Sequence, residues 1–247
     1  MTGQQAIDLI HERSWVGRKP GLERTQALLA RMGNPERTLK FVHITGTNGK
    51  GSTAAMTASV LAAAGYRTGL FTSPHLFRFH ERMQVNGEPI ADETLGRLTE
   101  QVLDLADGME DFPTEFELMT AVGMAFFAEQ KCDIVVLEVG LGGRMDSTNV
   151  IPAPEVAVLT NIGLEHTQEL GNTVALIAKE KSGILKPGCR CVLYHQSREA
   201  EEVVEGVCRE LSIPLTVTAP DTLKVQSVGL DGQVFSYRDA GTFRISL

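Results

Sequence analysis

Residues 43–53, HITGTNGKGST, decide how the N-terminal half of the chain is organised. A β-branched run at 38–44 leads into them, and the alanine-rich stretch 53–64, stopped by Gly65, is typical of a helix. A glycine-rich loop between a strand and a helix brings unpaired backbone N–H groups and the positive end of the helix dipole to one place. The stretch therefore predicts a strand, an anion-binding loop and a helix.

The spacing of this loop differs from the common phosphate-loop pattern G-x-x-x-x-G-K-[ST]. Two residues separate Gly46 from Gly49, and Gly51 stands between Lys50 and Ser52. Glycine clusters at such turns also occur for packing alone, but a lysine and hydroxyl groups in the cluster favour nucleotide phosphate. The residues predicted to hold the phosphates are Gly46, Thr47, Asn48, Gly49, Lys50, Gly51, Ser52 and Thr53.

The composition bounds the class of protein. With 23 basic and 31 acidic side chains the formal net charge is −8, so no general attraction to nucleic acid or to an anionic membrane is expected. No apolar run reaches the roughly eighteen residues of a membrane span, and the first residues lack the layout of a signal peptide. We expect a globular, cytoplasmic, monomeric protein.

The cysteines favour a reduced compartment, because the four of them include no C-x-x-C pair. Cys189 and Cys191 alternate with Arg190 in an apparent strand. Side chains two residues apart in a strand share a face, so a place in the core is favoured over a role as metal ligands.

Strand-like and helix-like segments alternate along most of the chain, which predicts an α/β fold with a doubly wound, mostly parallel sheet of the P-loop type. Strands are expected at 68–72, 133–140, 155–160, 189–194 and 213–218, and helices at 92–107, 115–130, 173–182 and after Ser197. The helix at 115–130 is expected to be amphipathic, residues 73–90 to form a long loop, and Gly183 to adopt a left-handed helix cap.

The pattern changes near the C-terminus, where alternating residues and turn signals after Leu223 predict a small antiparallel hairpin. Residues 243–247 still have the composition of a strand when the sequence stops. We therefore expect the whole of 1–247 to be one nucleotide-binding domain that is incomplete at its C-terminal end.

Glu138 is the candidate acid for a metal-bound triphosphate. It follows the apolar run DIVVL and precedes GLGG, so its carboxylate would emerge at the carboxyl edge of the sheet, where open α/β folds bind ligands. Magnesium requires hard oxygen ligands of this kind. A glutamate that merely ends a strand is the alternative, and its pairing with the glycine loop disfavours that alternative.

Five segments, taken in order, resemble the N-terminal ATP-binding domain of folylpolyglutamate synthase, often bifunctional with dihydrofolate synthase activity, in the Mur ligase superfamily. They are GTNGKGST, TSPHLFRFHERMQVNGEPI, EVGLGGRMDSTNVI, LTNIGLEH and KEKSGILKPG. The resemblance runs from about Gly21 to Gly188, and in that family the shortened loop is the normal form. It implies a sheet like that of the Mur ligase central domain.

The resemblance implies that ATP phosphorylates the carboxylate of folate or dihydropteroate and that the amine of L-glutamate attacks the acyl phosphate. It implies catalytic roles for Lys50, His166 and Lys181 and two Mg²⁺ sites. The implied metal-site residues are Ser52, Ser73, Glu138, His166 and a carbamylated Lys181. The alternatives are a hydrogen-bonded loop histidine at His166 and a lysine that only favours the helix dipole at Lys181.

The loop at 73–90 mixes aromatic and basic side chains, among them Phe77 and Phe79, that suit stacking on a flat heterocycle and pairing with a carboxylate. Such a loop could instead simply cover the sheet edge. The resemblance implies a pterin and folate site formed by His75, Arg82, Thr114, Glu115, Phe116, Glu117, Met145, Asp146 and Ser147. Asp146 is the best candidate for accepting paired hydrogen bonds from an aminopyrimidinone edge.

The family's complete enzyme has a second α/β domain that binds glutamate, and this sequence does not contain it. We therefore expect weak nucleotide binding and no ligase turnover from this chain alone. The competing hypotheses are another Mur-type ligase, such as one acting on peptidoglycan precursors, a nucleotide-binding module without ligase activity, and a domain that keeps the fold without the chemistry. The folate-type segments and the absence of a base-reading motif disfavour the first two.

Overall fold

An eight-stranded, mostly parallel sheet forms the centre of the protein, whose computed structural model describes residues 1–12 and 21–245. Its strands are β1 (Phe41–Thr45), β2 (Thr68–Phe71), β3 (Met83–Val85), β4 (Glu88–Pro89), β5 (Ile134–Glu138), β6 (Val156–Leu159), β7 (Arg190–Leu193) and β8 (Leu215–Val217). They lie in the order β4-β3-β2-β5-β1-β6-β7-β8, and only the pairings of β3 are antiparallel. The predicted fold class is confirmed.

Helices cover both faces of the sheet. They are α1 (Gly3–His11), α2 (Glu23–Arg31), α3 (Lys50–Ala63), α4 (Asp92–Ala106), α5 (Glu115–Glu129), α6 (Thr167–Leu170), α7 (Val174–Lys181) and α8 (Arg198–Glu210). On one face, Phe41 and Val135 join the core formed with α1, α2, α4 and α5, while Ala157 joins the core formed with α7 and α8. On the other face, Val42 packs with residues of α3. The sheet is therefore doubly wound.

The two central strands bring the functional elements to one edge of the sheet. Every residue of β1 is buried, and β5 is buried from its second residue onward, as expected for interior parallel strands. The register pairs Ile44 of β1 with Glu138 of β5. Because the loop after β1 begins at the same level, Glu138 lies beside that loop.

The prediction of a plain loop at 73–90 is wrong. This segment contains a 3-10 helix (Phe79–Arg82) and the strands β3 and β4. In the register of β3 against β2, Gly69 lies opposite Val85 and Phe71 opposite Met83. The strands have three and two residues, too short to show a clear alternating pattern.

The helix at 115–130 is present as α5, but it is not amphipathic. Its buried residues include every position from Glu117 to Met124, together with Phe126 and Phe127. The helix packs against α1, α2 and α4 as well as β3. A helix surrounded in this way needs apolar residues all round.

Gly183 does not form a left-handed cap, because α7 continues into the 3-10 helix Ser182–Ile184 and φ of Gly183 is not positive. A Cβ at this position would lie 2.4 Å from Cβ and 2.5 Å from Cα of Arg144. The glycine is therefore needed for a close approach between two backbone segments.

The C-terminal region forms a separate antiparallel sheet of β9 (Leu223–Gly229), β10 (Gly232–Tyr237) and β11 (Thr242–Ile245) within the described residues. The predicted hairpin is confirmed as β9 and β10, and β11 adds a third strand to it. Ser246 and Leu247, the end of the predicted strand-like terminus, lie outside the described residues.

Cys189 and Cys191 are both buried in the core with α7 and α8, as predicted. The four cysteines are free thiols. Across 1–12 and 21–245, no helix has both the length and the apolar character needed to cross a membrane.

Candidate active site

The glycine-rich loop joins β1 to α3 as predicted. Gly49 is the residue before α3, with φ of 79°, and it caps the helix with no side-chain hydrogen bond. The first-turn N–H groups of α3 therefore face the loop as potential anion donors. Lys50 folds back over the loop, because its Nζ donates to the carbonyl oxygens of Gly46 at 2.9 Å and Thr47 at 3.1 Å.

A second lysine reaches the same loop from α7. Lys181 is 1% exposed, and its Nζ donates to the carbonyl oxygen of Gly46 at 2.9 Å and to Oε1 of Glu165 at 2.5 Å. Burial lowers the pKa of Lys181, and the bond to Glu165 opposes that shift. Two ammonium groups thus converge on one backbone carbonyl.

The segment after β6 fixes the other side of the loop. The N–H of Thr47 donates to the carbonyl oxygen of Asn161 at 2.7 Å, and the N–H of Asn48 donates to its side-chain oxygen at 2.9 Å. The hydroxyl of Thr160 donates to the carbonyl oxygen of Asn48 at 2.8 Å. Thr160 and Asn161 were not predicted as site residues, although both lie in the segment LTNIGLEH that carries the resemblance.

Glu138 lies at the start of α3. Its side chain is buried, and Oε2 accepts a hydrogen bond from the N–H of Ser73 at 3.0 Å. A Cβ on Gly51 would lie 3.4 Å from the same oxygen, so the carboxylate lies close to the first turn of the helix. Burial raises the pKa of Glu138, while the N–H of Ser73 and the charge of Lys50 lower it.

The other predicted metal residues are less closely assembled. Ser52 is exposed in the first turn of α3. His166 is exposed and precedes α6, with φ of 43°. Among the residues that the structure describes, no group of three or more His, Cys, Asp or Glu side chains could hold a metal ion. Of the predicted metal-site residues, Ser73 and Glu138 are therefore joined by a hydrogen bond, and Glu138 supplies a buried carboxylate beside the glycine-rich loop.

A cavity of about 760 Å³ opens beside Ser73 and Glu138. The predicted residues that line it are Ser73, Arg82, Thr114, Phe116, Glu117, Met145, Asp146, Ser147 and His166. Lining residues that were not predicted are Gly21, Arg24, Pro74, Gly140, Leu141, Gly142, Gly143, Glu169, Leu170 and Glu180. One space thus brings together segments that lie far apart in the sequence.

Two residues predicted to bind the folate-type substrate, His75 and Glu115, are not among the cavity-lining residues in the described part of the chain. Nδ1 of His75 accepts a hydrogen bond from Nε of Arg82 at 2.9 Å, so His75 supports a lining residue. Glu115 lies 3.6 Å from Nε2 of His11. Their contacts are with the protein itself.

The expected stacking role of Phe79 is wrong. Phe79 is 5% exposed in the core, and the guanidinium of Arg82 lies 5.3 Å from its ring centroid. Phe77 is 89% exposed at the tip of the same segment. The aromatic ring on the cavity wall is that of Phe116, against which a Cβ on Gly140 would lie only 2.6 Å away.

Glu117 is tied into the wall by Arg24. Nε of Arg24 donates to both carboxylate oxygens of Glu117, at 3.0 and 2.9 Å, which raises the pKa of Arg24. Oε2 of Glu117 also accepts from the N–H of Thr114 at 2.7 Å in a capping box that starts α5. Arg24 was missed because no local pattern links it to a partner 93 positions away.

Asp146 is buried, and its carboxylate organises its own loop. Oδ2 accepts from the N–H of Leu141 at 2.8 Å, and Oδ1 accepts from the N–H of Thr148 at 3.0 Å and from its hydroxyl. Burial raises the pKa of Asp146, and the bonds from Thr148 and Leu141 oppose this. The carboxylate thus shapes the wall at 140–147.

Residues 44–190, more than half of the chain, match the family model of the Mur ligase middle domain. The dihydrofolate synthase/folylpolyglutamate synthase of Bacillus subtilis (strain 168) is 47% identical over 216 residues, which are 85% of this chain and 50% of that protein. The folylpolyglutamate synthase of Lacticaseibacillus casei is 40% identical over 209 residues, which are 83% of this chain and 49% of that protein. The chain spans about half the length of these curated relatives.

Solved structures show the same relationship. A folylpolyglutamate synthase (FPGS) in complex with AMPPCP and folate has a TM-score of 0.89 at 35% identity, over 98% of this chain and 60% of that chain. Escherichia coli FolC in complex with DHPP and ADP has a TM-score of 0.83 at 30% identity, over 100% of this chain and 58% of that chain. The family model covers more than half of the chain, including the glycine-rich loop, Glu138 and Lys181, so this chain belongs to the Mur ligase middle-domain family and resembles the branch of folylpolyglutamate and dihydrofolate synthases.

Proposed function

We propose that this chain forms the nucleotide- and acceptor-binding part of an ATP-dependent ligase that joins L-glutamate to folate or dihydropteroate. The observation that carries the proposal is that Glu138 lies between the phosphate loop and the cavity. Glu138 lies close to the first turn of α3 and accepts a hydrogen bond from Ser73, which lines the cavity. A triphosphate on the loop and a carboxylate in the cavity would meet at this point.

The proposed reaction has two steps. An oxygen of the acceptor carboxylate bonds to the γ-phosphorus of ATP, and ADP leaves. The glutamate nitrogen then attacks the acyl carbon of the resulting acyl phosphate, phosphate leaves, and the nitrogen loses a proton to form the amide. Because two polyanions must approach each other, the ammonium of Lys50 and the N-terminus of α3 supply compensating positive charge.

Mg²⁺ fits the donors at the loop. The carboxylate of Glu138 and the hydroxyl of Ser52 are hard oxygen ligands, and Mg²⁺ ordinarily completes its shell with water and phosphate oxygens. Bound there, Mg²⁺ would neutralise charge on the transferred phosphoryl group. We include Ser73 and His166 in the proposed set, with two metal positions.

The similar relatives are about twice as long as this chain, which supports a division of the whole enzyme into two domains. We propose that residues 1–247 provide the ATP and acceptor sites and that a second domain binds glutamate. This chain is then expected to bind nucleotide weakly and to show no ligase turnover alone. We also propose a cytoplasmic monomer, a location supported by four free cysteines, and sedimentation velocity would reveal any dimer.

The proposed function is tested first by measuring how the nucleotide analogue and pteroate bind to the chain. Reaction products are then analysed after the second domain has been added. In an NMR titration, AMPPCP with Mg²⁺ should shift the amide signals of 46–53, and pteroate should shift those of 140–147. With the second domain present, labelled glutamate should enter a product made from folate, dihydropteroate or both. Nucleotide shifts that leave 46–53 unchanged would contradict the proposal.

The Lys181 amine is expected to be carbamylated in the metal-loaded protein. A free ammonium there adds a second cation beside Lys50, whereas a carbamate supplies an anionic oxygen to a metal. The neutral amine nitrogen bonds to the carbon of CO₂ and releases one proton, and the single N–H that remains can keep only one of the bonds to Gly46 and Glu165. ¹³CO₂ should give a carbamate signal in the ¹³C spectrum that disappears in Lys181→Ala and persists in Lys179→Ala.

Crystals grown with Mg²⁺ and nucleotide provide an independent check of this modification. Electron density extending beyond Nζ of Lys181 is expected. An ordinary, well-ordered lysine beside a bound metal would exclude carbamylation as the source of the ligand.

Asp146→Ala should weaken pteroate binding about tenfold while changing nucleotide affinity less than about twofold. The substitution removes the acceptor for the N–H of Leu141, and one such bond contributes about 0.5–1.5 kcal/mol. Asp104→Ala, an exposed acid on α4, is the control and should bind both ligands normally. Fluorescence titration with pteroate and with AMPPCP would measure both affinities. An equal loss of both would indicate misfolding.

A further inference from the structure

We propose that His43 is a positioning residue for the acceptor cavity, acting through Thr148 on the carboxylate of Asp146. His43 lies on β1, two residues before its end, and its side chain is fully buried. The phosphoryl-transfer chemistry proposed above gives it no role. The inference rests on the proposed function for the identity of the ligand in the cavity. The hydrogen bonds that link His43, Thr148 and Asp146 do not depend on any ligand.

The chain of contacts is continuous from β1 to the cavity wall. Nε2 of His43 lies 2.9 Å from Oγ1 of Thr148, and that hydroxyl bonds to Oδ1 of Asp146. The other oxygen of Asp146 accepts from the N–H of Leu141, a lining residue, at 2.8 Å. His43 and Thr148 are both 0% exposed, so water does not compete for these bonds.

The direction of each bond follows from the donors available. Both oxygens of Asp146 already accept a backbone N–H, which favours the ionised carboxylate as an acceptor only. The one hydroxyl proton of Thr148 therefore goes to Asp146. Its oxygen must then accept from His43, which places the imidazole proton on Nε2.

The second ring nitrogen agrees with this assignment. Nδ1 of His43 is buried and has no hydrogen-bond partner. As an unprotonated nitrogen it leaves only a lone pair unsatisfied, whereas a buried N–H donor without an acceptor is rarely found in proteins. Burial, with a smaller effect from Lys186, lowers the pKa of His43 to about 3, so the ring stays neutral at physiological pH.

In this arrangement, strand β1 supports both the proposed nucleotide site and the acceptor cavity. β1 delivers Gly46 and Lys50 to the nucleotide site, and through His43 it also holds the Asp146 loop that forms the acceptor wall. A phenylalanine or leucine could fill the same volume at His43 but could not donate to Thr148. The geometry therefore assigns His43 a role in shaping the cavity beyond filling the core.

The experiment compares His43→Leu with His43→Gln, whose amide can still donate to Thr148. In His43→Leu, the amide hydrogens of Leu141 and Thr148 should exchange with solvent about tenfold faster, and pteroate should bind about tenfold more weakly. AMPPCP affinity should stay within about twofold. His43→Gln should recover most of the protection and most of the pteroate affinity.

The unmodified protein supplies a further measurement, because ¹⁵N spectra of the imidazole distinguish protonated from unprotonated ring nitrogens. We expect the proton on Nε2, unchanged between pH 5 and 9. A proton on Nδ1, or unaltered exchange at Leu141 and Thr148 in His43→Leu, would overturn the inference. If wild type shows the expected tautomer and exchange pattern yet binds no pteroate, the proposed function fails while the positioning role stands.

Discussion

Lys50→Ala is expected to weaken nucleotide binding by about tenfold to hundredfold. Hydrogen bonds to charged groups contribute about 1.5–3 kcal/mol, and each 1.4 kcal/mol changes a dissociation constant tenfold. The Lys50 ammonium also donates to the carbonyl oxygens of Gly46 and Thr47, so its removal loosens the loop as well as removing a charge. NMR titration with AMPPCP and Mg²⁺ can quantify even millimolar affinities.

Two further variants separate the charge of Lys50 from its geometry. Lys40→Ala removes an exposed lysine just before β1 and should leave nucleotide binding unchanged. Lys50→Arg keeps the charge but replaces a compact ammonium by a planar guanidinium, which cannot reproduce both bonds to the loop carbonyls. We expect it to recover less than half of the lost binding free energy. Full recovery by arginine would show that charge alone suffices.

Gly46→Ala is expected to lower the free energy of unfolding by about 3 kcal/mol, combining backbone strain with overpacking. Gly46 has φ of 150°, and a Cβ there would lie 1.7 Å from Oγ1 of Thr160 and 3.2 Å from the carbonyl oxygen of Asn161. The Thr160 hydroxyl bonds to the carbonyl oxygen of Asn48, so displacing it also disturbs the loop. For a chain of this size the loss corresponds to a Tm lower by roughly 6–12 °C.

Gly49→Ala provides the matched control on the same loop. Gly49 also has positive φ, 79°, but a Cβ there would meet no atom within 4 Å. The cost should therefore be backbone strain alone, about 1–2 kcal/mol. Chemical denaturation of the two variants measures the difference. Equal destabilisation would mean that the contact with Thr160 does not determine the need for glycine at position 46.

The local part of this architecture was predictable from the sequence. A glycine loop between a β-branched run and an alanine-rich stretch predicts strand, loop and helix, because each element's preference is expressed within a few residues. The position of Glu138 at the sheet edge follows from its place at the end of an apolar strand. Both predictions depend only on residues that lie close together in the sequence.

The contacts that complete the site were not predictable from spacing. Lys181 meets Gly46 across 135 positions, and His43 meets Thr148 across 105. Tertiary packing alone sets these distances. The burial of α5 on all sides was missed for the same reason, whereas β3, with three residues, was too short to show an alternating pattern.

The carbonyl oxygen of Gly46 accepts hydrogen bonds from the Nζ atoms of both Lys50 and Lys181. The ordering of the loop is therefore completed during folding, and an arriving polyanion need not supply free energy to shape it. The same convergence sets two like charges close together, with Glu165 offsetting one of them. In the protein without carbamylated Lys181, an anion seated at the α3 terminus would relieve this residual repulsion, so in that state preorganisation and electrostatic attraction come from the same pair of side chains.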